Sequence, residues 1–433
     1  MTARALMRAL ASARILMPAL RLGLCAALCL PALSCGGGKG GGTFASGGTS
    51  PPPVASNVVS VVVDAGPNAS SNSGSVNTLY TTVTVCAPGS TSNCQTIDHI
   101  QVDTGSYGLR ILAGALTLTL PVQKAINGNS LVECTPFADG YSWGPAALLD
   151  VQISGEMAGS VPVQLIGDSR FTTVPSDCSG TGMAEDTVAA FGANGILGIG
   201  VFAQDCGGAC AAAAQPTSYY SCTSTQCQAT AVPLADQVTN PISMFAADNN
   251  GSIIDLPSVP SQGAATLTGS LIFGIDTQSN NASGTQTVLT IAGSAGAGGG
   301  TIPPGDLTVA YGGQTLGQSF IDSGSNGIYF NDPNIVKCTD SGFTDFYCPP
   351  STLNLTATLE GINGISASVD FSVDSAETLG QNNPSFVVLP TLAGTTTLPD
   401  SFDFGLAFYY GRRVAMALES QTTTAGTGPY IAF

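Results

Sequence analysis

The chain has 433 residues and a formal net charge of −17, and only 9% of its residues are charged. The chain is longer than the usual length of a domain with one hydrophobic core, so we expect two lobes or domains. Its negative charge argues against nucleic acid as a partner. Gly, Ser, Thr, Ala and Val dominate and long helical periodicity is rare, which predicts an all-β protein.

Residues 1–35 have the features of an export signal. Four arginines precede LGLCAALCLPALS, a mostly apolar stretch that is too short for a comfortable membrane span but suits the core of a signal peptide. The stretch runs into ALSC, which resembles a bacterial lipoprotein signal with Cys35 as the lipidated first residue. Ala32 stands where such signals usually carry Leu, so simple secretion after a small-residue cleavage site is the alternative.

Residues 36–57 are predicted to be a flexible tether, because they are mainly Gly, Ser and Pro with little to bury. Twenty flexible residues have a root-mean-square reach of about 25 Å, which can hold a folded domain clear of a membrane surface. The folded part is therefore expected to begin at residue 58.

The cysteines that follow Cys35 are even in number, which in an exported protein predicts five disulfides. Pairing of Cys86 with Cys94 and of Cys338 with Cys348 would close two short local loops. The quartet between residues 206 and 227 allows three pairings, and a zinc site is the competing explanation for it. The ten residues are Cys86, Cys94, Cys134, Cys178, Cys206, Cys210, Cys222, Cys227, Cys338 and Cys348.

The first strands of the folded part lead into an acidic loop. NVVSVVVDAG, NTLYTTVTVCAPG and CQTIDHIQVDTGS are β-rich runs bounded by turn residues, and they are expected to form hairpins. The last run ends in the first loop, Asp103, Thr104, Gly105 and Ser106. An apolar run in QSFIDSGSNGIYF leads into the second loop, Asp322, Ser323, Gly324 and Ser325. One such match is weak evidence, but two in similar settings predict an internal duplication.

The residue types in these two loops suit a pair of facing carboxyl groups. Glycine lets a second backbone approach without a Cβ clash, and the hydroxyls can orient the acids by hydrogen bonds. Two carboxyl groups held close together share one proton, so one acts as an acid and the other as a base. A water between Asp103 and Asp322 could then attack an amide carbonyl, and such a site needs no histidine, metal or cofactor.

The two loops resemble the paired active-site loops of pepsin-like aspartic proteases. NGILGIG at 194–200, GSLIFGID at 269–276 and SFDFGLAFYYGRRVAMALE at 401–419 are similar to later segments of that family, and the resemblance spans roughly residues 58–433. The chain also looks like a bacterial family of uncharacterised exported domains that share the phrases VDTGSxGLR and FGLxFxYGRRV. The resemblance implies a bilobal all-β fold, with two β-barrel-like lobes and a cleft between them. Residues 58–276 would form the lobe that carries Asp103, and residues 277–433 the lobe that carries Asp322.

The function implied by this resemblance is that of an exported aspartic endopeptidase. Asp103 and Asp322 would be catalytic, the other six loop residues would support them, and the substrate would be a peptide or protein. The protein is expected to be a monomer held to the bacterial cell envelope, in the periplasm or at the outer membrane, by a lipid on Cys35. A pepsin-fold module that binds peptide or glycan without cleaving it is the main alternative, and a structural or adhesive surface protein is the third.

Four candidate cleft residues depart from the family pattern. Arg110 stands where the family usually has Trp, seven residues after the first Asp, and we expect it near the cleft floor, where its charge would lower the pKa values of the acid pair. Pairing of Arg110 with a distant acid is the alternative. Phe137 occupies the usual position of the flap Tyr or lies one residue before it, with Tyr141 and Trp143 a few residues late. These aromatic residues either rebuild the flap or serve only in packing.

Two further titratable residues are notable. Asp403 falls within the second apolar-apolar-Gly segment, so the register of that segment is uncertain. His99 lies four residues before Asp103, and a Ser-His-Asp site built on it lacks a recognisable serine motif. We therefore expect His99 to be a surface residue.

Overall fold

The structure is a computed structural model that describes residues 55–67, 74–294, 302–382 and 384–433. The predicted export signal, Cys35 and most of the predicted tether lie outside the described residues. Within them the chain is all-β, as the composition predicted, and its strands form one closed six-stranded barrel and one nearly closed seven-stranded barrel. The expectation of two β-barrel-like lobes is therefore confirmed.

The strands follow one another along the whole described chain. In the first half they are Val58–Val63 (β1), Leu79–Cys86 (β2), Cys94–Asp103 (β3), Tyr107–Leu112 (β4), Ser130–Pro136 (β5), Gly140–Ile153 (β6), Glu156–Ile166 (β7), Met183–Ala184 (β8), Gly195–Ile199 (β9), Tyr219–Cys222 (β10), Cys227–Ala229 (β11), Gly251–Asp255 (β12) and Leu267–Phe273 (β13). In the second half they are Val288–Thr290 (β14), Leu307–Tyr311 (β15), Gln314–Ile321 (β16), Ile328–Tyr329 (β17), Leu353–Glu360 (β18), Ser366–Val373 (β19), Ala393–Gly394 (β20), Asp403–Phe404 (β21), Arg413–Ala417 (β22), Thr422–Thr423 (β23), Gly426–Thr427 (β24) and Tyr430–Ala432 (β25).

The helices are short and lie in the connections between strands. The α-helices are Ser176–Ser179 (α1), Val188–Phe191 (α2), Gly208–Ala212 (α3) and Ala376–Asn382 (α4), and the 3₁₀ turns are Ala113–Ala115, Leu234–Asp236, Pro241–Met244 and Leu406–Phe408. In the described ranges, no helix has the length and apolar character needed to cross a membrane.

The first barrel is a ring of six strands. Its order is β2, β3, β9, β4, β7 and β6, and pairing of β6 with β2 closes it. Strand β2 shows why these segments form strands: Val83 and Val85 are buried, whereas Thr82 is exposed and Thr84 is partly exposed. This alternation places the apolar side chains in the barrel interior and the threonines outside.

The second barrel has the strand order β19, β18, β15, β16, β21, β17 and β20. Its core is aromatic: the ring of Phe402 stacks on Phe330 at 4.8 Å and on Phe404 at 4.5 Å. These large buried rings fill the interior with few side chains.

The sheet of the first barrel continues beyond β2 into a further run of strands. It runs β1, β13, β12, β22, β25 and β14, so it contains strands from both sides of the predicted boundary at residues 276 and 277. The predicted division of the chain therefore passes through a shared sheet.

The same three-strand arrangement recurs at each acidic loop. Strand β3 ends at Asp103 and pairs in parallel with β9, which pairs antiparallel with β4. Strand β16 ends just before Asp322 and pairs in parallel with β21, which pairs antiparallel with β17. The repeated loop motif thus corresponds to a repeated strand arrangement.

Five disulfides cross-link the described chain. Cys86 pairs with Cys94 and Cys338 with Cys348, as predicted. The quartet that the sequence left open resolves into local pairs, and the remaining two cysteines join segments 44 residues apart. The pairs not predicted individually are Cys206–Cys210, Cys222–Cys227 and Cys134–Cys178. A zinc site on the quartet is excluded, because its sulfurs are bonded to one another.

Candidate active site

The two acidic loops face each other in the structure. Asp103 and Asp322 are both buried, with relative exposures of 1% and 0%. In each loop the glycine N–H donates to the acid two residues earlier: Gly105 to Asp103 Oδ1 and Gly324 to Asp322 Oδ1, both at 2.7 Å. These matching bonds fix one oxygen of each carboxyl group.

Glycine is required in both loops by the closeness of the opposite acid. A Cβ on Gly105 would lie 2.6 Å from Asp322 Cγ. A Cβ on Gly324 would lie 2.5 Å from Asp103 Oδ1 and 3.1 Å from Asp322 Oδ1. Such separations are far below van der Waals contact, so the two carboxyl groups line one small space that no side chain at these positions could enter.

A reciprocal pair of hydrogen bonds holds the loops together. The Thr104 N–H donates to Ser323 Oγ at 3.1 Å, and the Ser323 N–H donates to Thr104 Oγ1 at 2.9 Å. Ser323 Oγ also donates to Val102 O, and Thr104 Oγ1 lies 2.8 Å from the hydroxyl of Tyr409. We call these contacts the loop clasp. They use one hydroxyl from each loop.

The other two loop hydroxyls differ from each other. Ser325 Oγ donates to Asp322 Oδ2 at 3.1 Å and so orients that acid. Ser106 Oγ is buried and has no hydrogen-bond partner within the described residues. Only one of the two acids therefore receives a bond from the hydroxyl three residues after it.

The environment of Asp322 favours its protonated form. Burial raises the pKa of Asp322 well above its usual range, and the charges of Asp103 and Asp403 and a hydrogen bond with Asp103 raise it further. The Gly324 N–H acts in the opposite direction but is outweighed. The pair can hold one proton and one negative charge.

Asp403 is a third buried carboxyl group at this site, and the structure settles its register. Asp403 lies on β21, where it pairs with Phe320 of β16 and with Tyr329 of β17, and it is fully buried. Neither of its oxygens completes a hydrogen bond of normal geometry within the described chain. Burial raises the pKa of Asp403 well above its usual range; the hydroxyl of Ser325 lowers it, and the charge of Asp103 raises it again.

The expectation that Arg110 acts on the acid pair is wrong. Its guanidinium donates to Glu133 Oε1 at 2.6 Å and to Asp205 Oδ2 at 3.1 Å, with further bonds to Thr135 Oγ1 and Tyr107 O. Burial lowers the pKa of Arg110, but the charges of Glu133 and Asp205 more than offset this effect. The alternative, pairing with distant acids, is what the structure shows.

The aromatic flap candidates lie on the β5–β6 hairpin, where they pack into the lobe. Phe137 begins the turn, and the centroid of its ring lies 6.1 Å from that of Phe191. Tyr141 and Trp143 are buried in a small cluster with Tyr220, and the Trp143 indole donates to a backbone oxygen at 2.9 Å. The packing interpretation therefore describes all three residues.

His99 is partly exposed, with a side-chain relative exposure of 24%. Its ring nitrogens lie 3.3 Å from Asp64 and 3.1 Å from Asp98. Neither contact is to a serine, so the structure gives no sign of a Ser-His-Asp site at His99.

Sequence reasoning missed two residues that join the parts of this site. Asn77 is fully buried, donates to the backbone oxygens of Asn326 and Leu389 at 2.7 Å, and accepts from the Tyr410 hydroxyl. Tyr409 contacts the loop clasp from the segment after β21. A buried Asn at positive φ carries no local signal, although the polar rings in FYYGRRV could have drawn attention to Tyr409.

A family model described as "Protein of unknown function (DUF3443)" matches residues 53–433, and the chain belongs to this family. The matched region contains both acidic loops and all five disulfides. No curated protein matches the chain.

Proposed function

We propose that this protein is an aspartic endopeptidase of the pepsin-like type, with Asp103 and Asp322 as its catalytic pair. The observation that carries the proposal is the clasped pair of loops around two buried carboxyl groups. The raised pKa of Asp322 supports it, because a shared proton is what this chemistry requires. The repeated strand arrangement around each loop further supports it.

The proposed reaction uses a water molecule between the two carboxyl groups. The ionised carboxyl takes a proton from the water as its oxygen attacks the peptide carbonyl carbon, while the protonated carboxyl gives its proton to the carbonyl oxygen. The tetrahedral intermediate collapses when the amine leaves with a proton returned by the pair. Burial raises the pKa of Asp322, so we assign Asp322 as the initial acid and its partner Asp103 as the initial base.

The test is a pH–rate series on a mixed peptide library. We expect Asp103→Asn and Asp322→Asn each to lower the rate by about 10²–10⁴-fold, the usual range for loss of general acid–base catalysis. Asp340→Asn is the matched control, because Asp340 is exposed and lies outside both loops. The Arg110 guanidinium is bound to Glu133 and Asp205, and the pKa of Asp322 is raised, so we expect activity to extend toward neutral pH.

Two outcomes would contradict the proposal. Cleavage that persists in both loop variants would rule out the pair as the catalyst. A native protein that cleaves no library peptide at any pH would favour the alternative, a non-catalytic module that binds peptide or glycan. One observation favours that alternative: with relative exposures of 1% and 0%, the two acids offer substrate almost no accessible surface.

We further propose that the protein is exported and held to the bacterial cell envelope through a lipid on Cys35. The five disulfides support an oxidising compartment. Intact-mass analysis of membrane-fraction protein tests the anchor, with Cys35→Ser as the variant. An acylated N-terminal Cys35 is expected, and an unmodified N-terminus would leave simple secretion as the explanation.

A further inference from the structure

A second cavity lies apart from the two acidic loops. Its volume is about 340 Å³, within the lower range for small-ligand sites, and none of the eight loop residues lines it. Its walls include Thr391, Phe408, Tyr410 and Arg412. The exposed residue Ser258 also lines it, so the cavity is open to solvent.

Arg412 is the only cationic side chain in this lining, and Asp370 is the only acid there. Asp370 accepts a hydrogen bond from the Thr356 hydroxyl, and within the described residues it forms no ion pair with Arg412. It is partly buried, its Nη1 donates to Phe408 O, and its guanidinium lies 4.6 Å from the centre of the Phe408 ring. These contacts hold the guanidinium in place but do not balance its charge. Burial lowers the pKa of Arg412, and no neighbouring acid raises it again. A partly desolvated guanidinium that is not paired with an acid favours binding of an anion.

We propose that this cavity binds an oxyanion, a carboxylate or phosphate group, with Arg412 as the charged contact. The guanidinium offers a planar fork of N–H donors that fits two oxygens of such a group, and Nη1 is the donor already used. The aromatic rings of Phe408 and Tyr410 give the attached part of the ligand an apolar surface. The proposal does not depend on peptide hydrolysis.

The neighbouring Arg413 is a matched control. It carries the same charge one residue away, but its guanidinium pairs with Asp255 at 3.0 Å and donates to Asn280 O. It does not line the cavity. A general effect of removing one positive charge from this acidic protein would therefore appear equally in Arg413→Gln.

The experiment is calorimetric titration at constant ionic strength with three probes: inorganic phosphate, an acetylated tripeptide with a free C-terminal carboxylate, and its C-terminal amide. We expect phosphate or the free acid to bind, and Arg412→Gln to weaken that binding about tenfold or more. Arg413→Gln should change it less than twofold. Binding of phosphate alone would assign a phosphate group, and binding of the acid but not the amide would assign a peptide carboxylate.

A second measurement uses the unaltered protein, so it does not depend on the folding of a variant. An arginine-specific reagent is applied with and without the bound probe, and modification is read at each arginine by mass spectrometry. The probe should slow modification of Arg412 and leave Arg413 unchanged. The proposal is overturned if no probe binds at about 10 mM, or if Arg413→Gln weakens binding as much as Arg412→Gln.

Discussion

Removing a hydroxyl from the loop clasp tests whether these hydrogen bonds stabilise the fold. In Thr104→Val the side chain keeps its shape but loses Oγ1, so the Ser323 N–H loses its acceptor at 2.9 Å and the Tyr409 hydroxyl loses its partner at 2.8 Å. Both groups are buried. Each buried polar group left without a partner costs about 1–3 kcal/mol, so we expect the free energy of unfolding to fall by about 2–6 kcal/mol.

The assay is urea unfolding of the oxidised protein, compared as the shift in midpoint at unchanged slope. Thr84→Val is the control, because the Thr84 hydroxyl pairs only with Thr96 on an exposed strand face and its loss should cost less than about 0.5 kcal/mol. Thr104→Ser keeps the hydroxyl and should retain most of the stability. If Thr104→Val unfolds at the same urea concentration as Thr84→Val, the clasp does not stabilise the fold and the reasoning fails.

A double-mutant cycle extends this test to the other half of the clasp. Ser323→Ala removes the acceptor of the Thr104 N–H, at 3.1 Å. Both hydrogen bonds join the same two loops, so loss of either one should weaken the other. We expect the double variant to lose at least about 0.5 kcal/mol less than the sum of the single variants. Strict additivity would show that the bonds act independently.

Three further predictions concern single residues. Gly324→Ala should abolish peptide cleavage, because its Cβ would lie 2.5 Å from Asp103 Oδ1, whereas Gly317→Ala should retain it since that Cβ would meet no atom within 4 Å; equal activity of the two variants in the peptide assay would contradict this. Arg110→Met should cost about 3–5 kcal/mol, because it leaves the buried Glu133 and the partly buried Asp205 without the cation that they share. The urea midpoint of the variant measures this, and a midpoint equal to that of the native protein would argue against it. Burial raises the pKa of Asp403 in the folded protein above its unfolded value of about 3.9. The native protein therefore loses stability as the pH rises from that value toward the raised pKa, whereas Asp403→Asn has no carboxyl group to titrate. The free energy of unfolding of Asp403→Asn, relative to that of the native protein, should be higher at about pH 7 than at about pH 3, and an equal difference at both pH values would refute this.

The sequence predicted the fold class and the position of the candidate site because both have local signals. Alternating apolar and polar residues, as in β2, indicate strands wherever one face is buried. The acidic loop motif occurs twice with the same surroundings, and each copy follows a strand. The short disulfide loops at Cys86–Cys94 and Cys338–Cys348 are local for the same reason.

The role of Arg110 could not be predicted in this way. Its two acidic partners lie 23 and 95 residues further along the chain, on segments that approach it only once the first barrel closes. Position in a motif indicated the cleft floor, but a charged side chain that is removed from water takes whichever counter-charges the fold brings near. The aromatic residues Tyr141 and Trp143 were ambiguous for a similar reason, since packing depends on the opposite surface.

The amino-acid sequence by itself therefore determined that this is an all-β protein with a duplicated Asp loop and paired cysteines, because each of these features follows from a local pattern of residues. Only the tertiary structure decided which groups face those acids. Asp403 joins Asp103 and Asp322 because β21 pairs with β16 and β17, and the clasp joins residues 219 positions apart. Burial and pairing across such distances fix the charge and orientation of each group, and no local pattern records them.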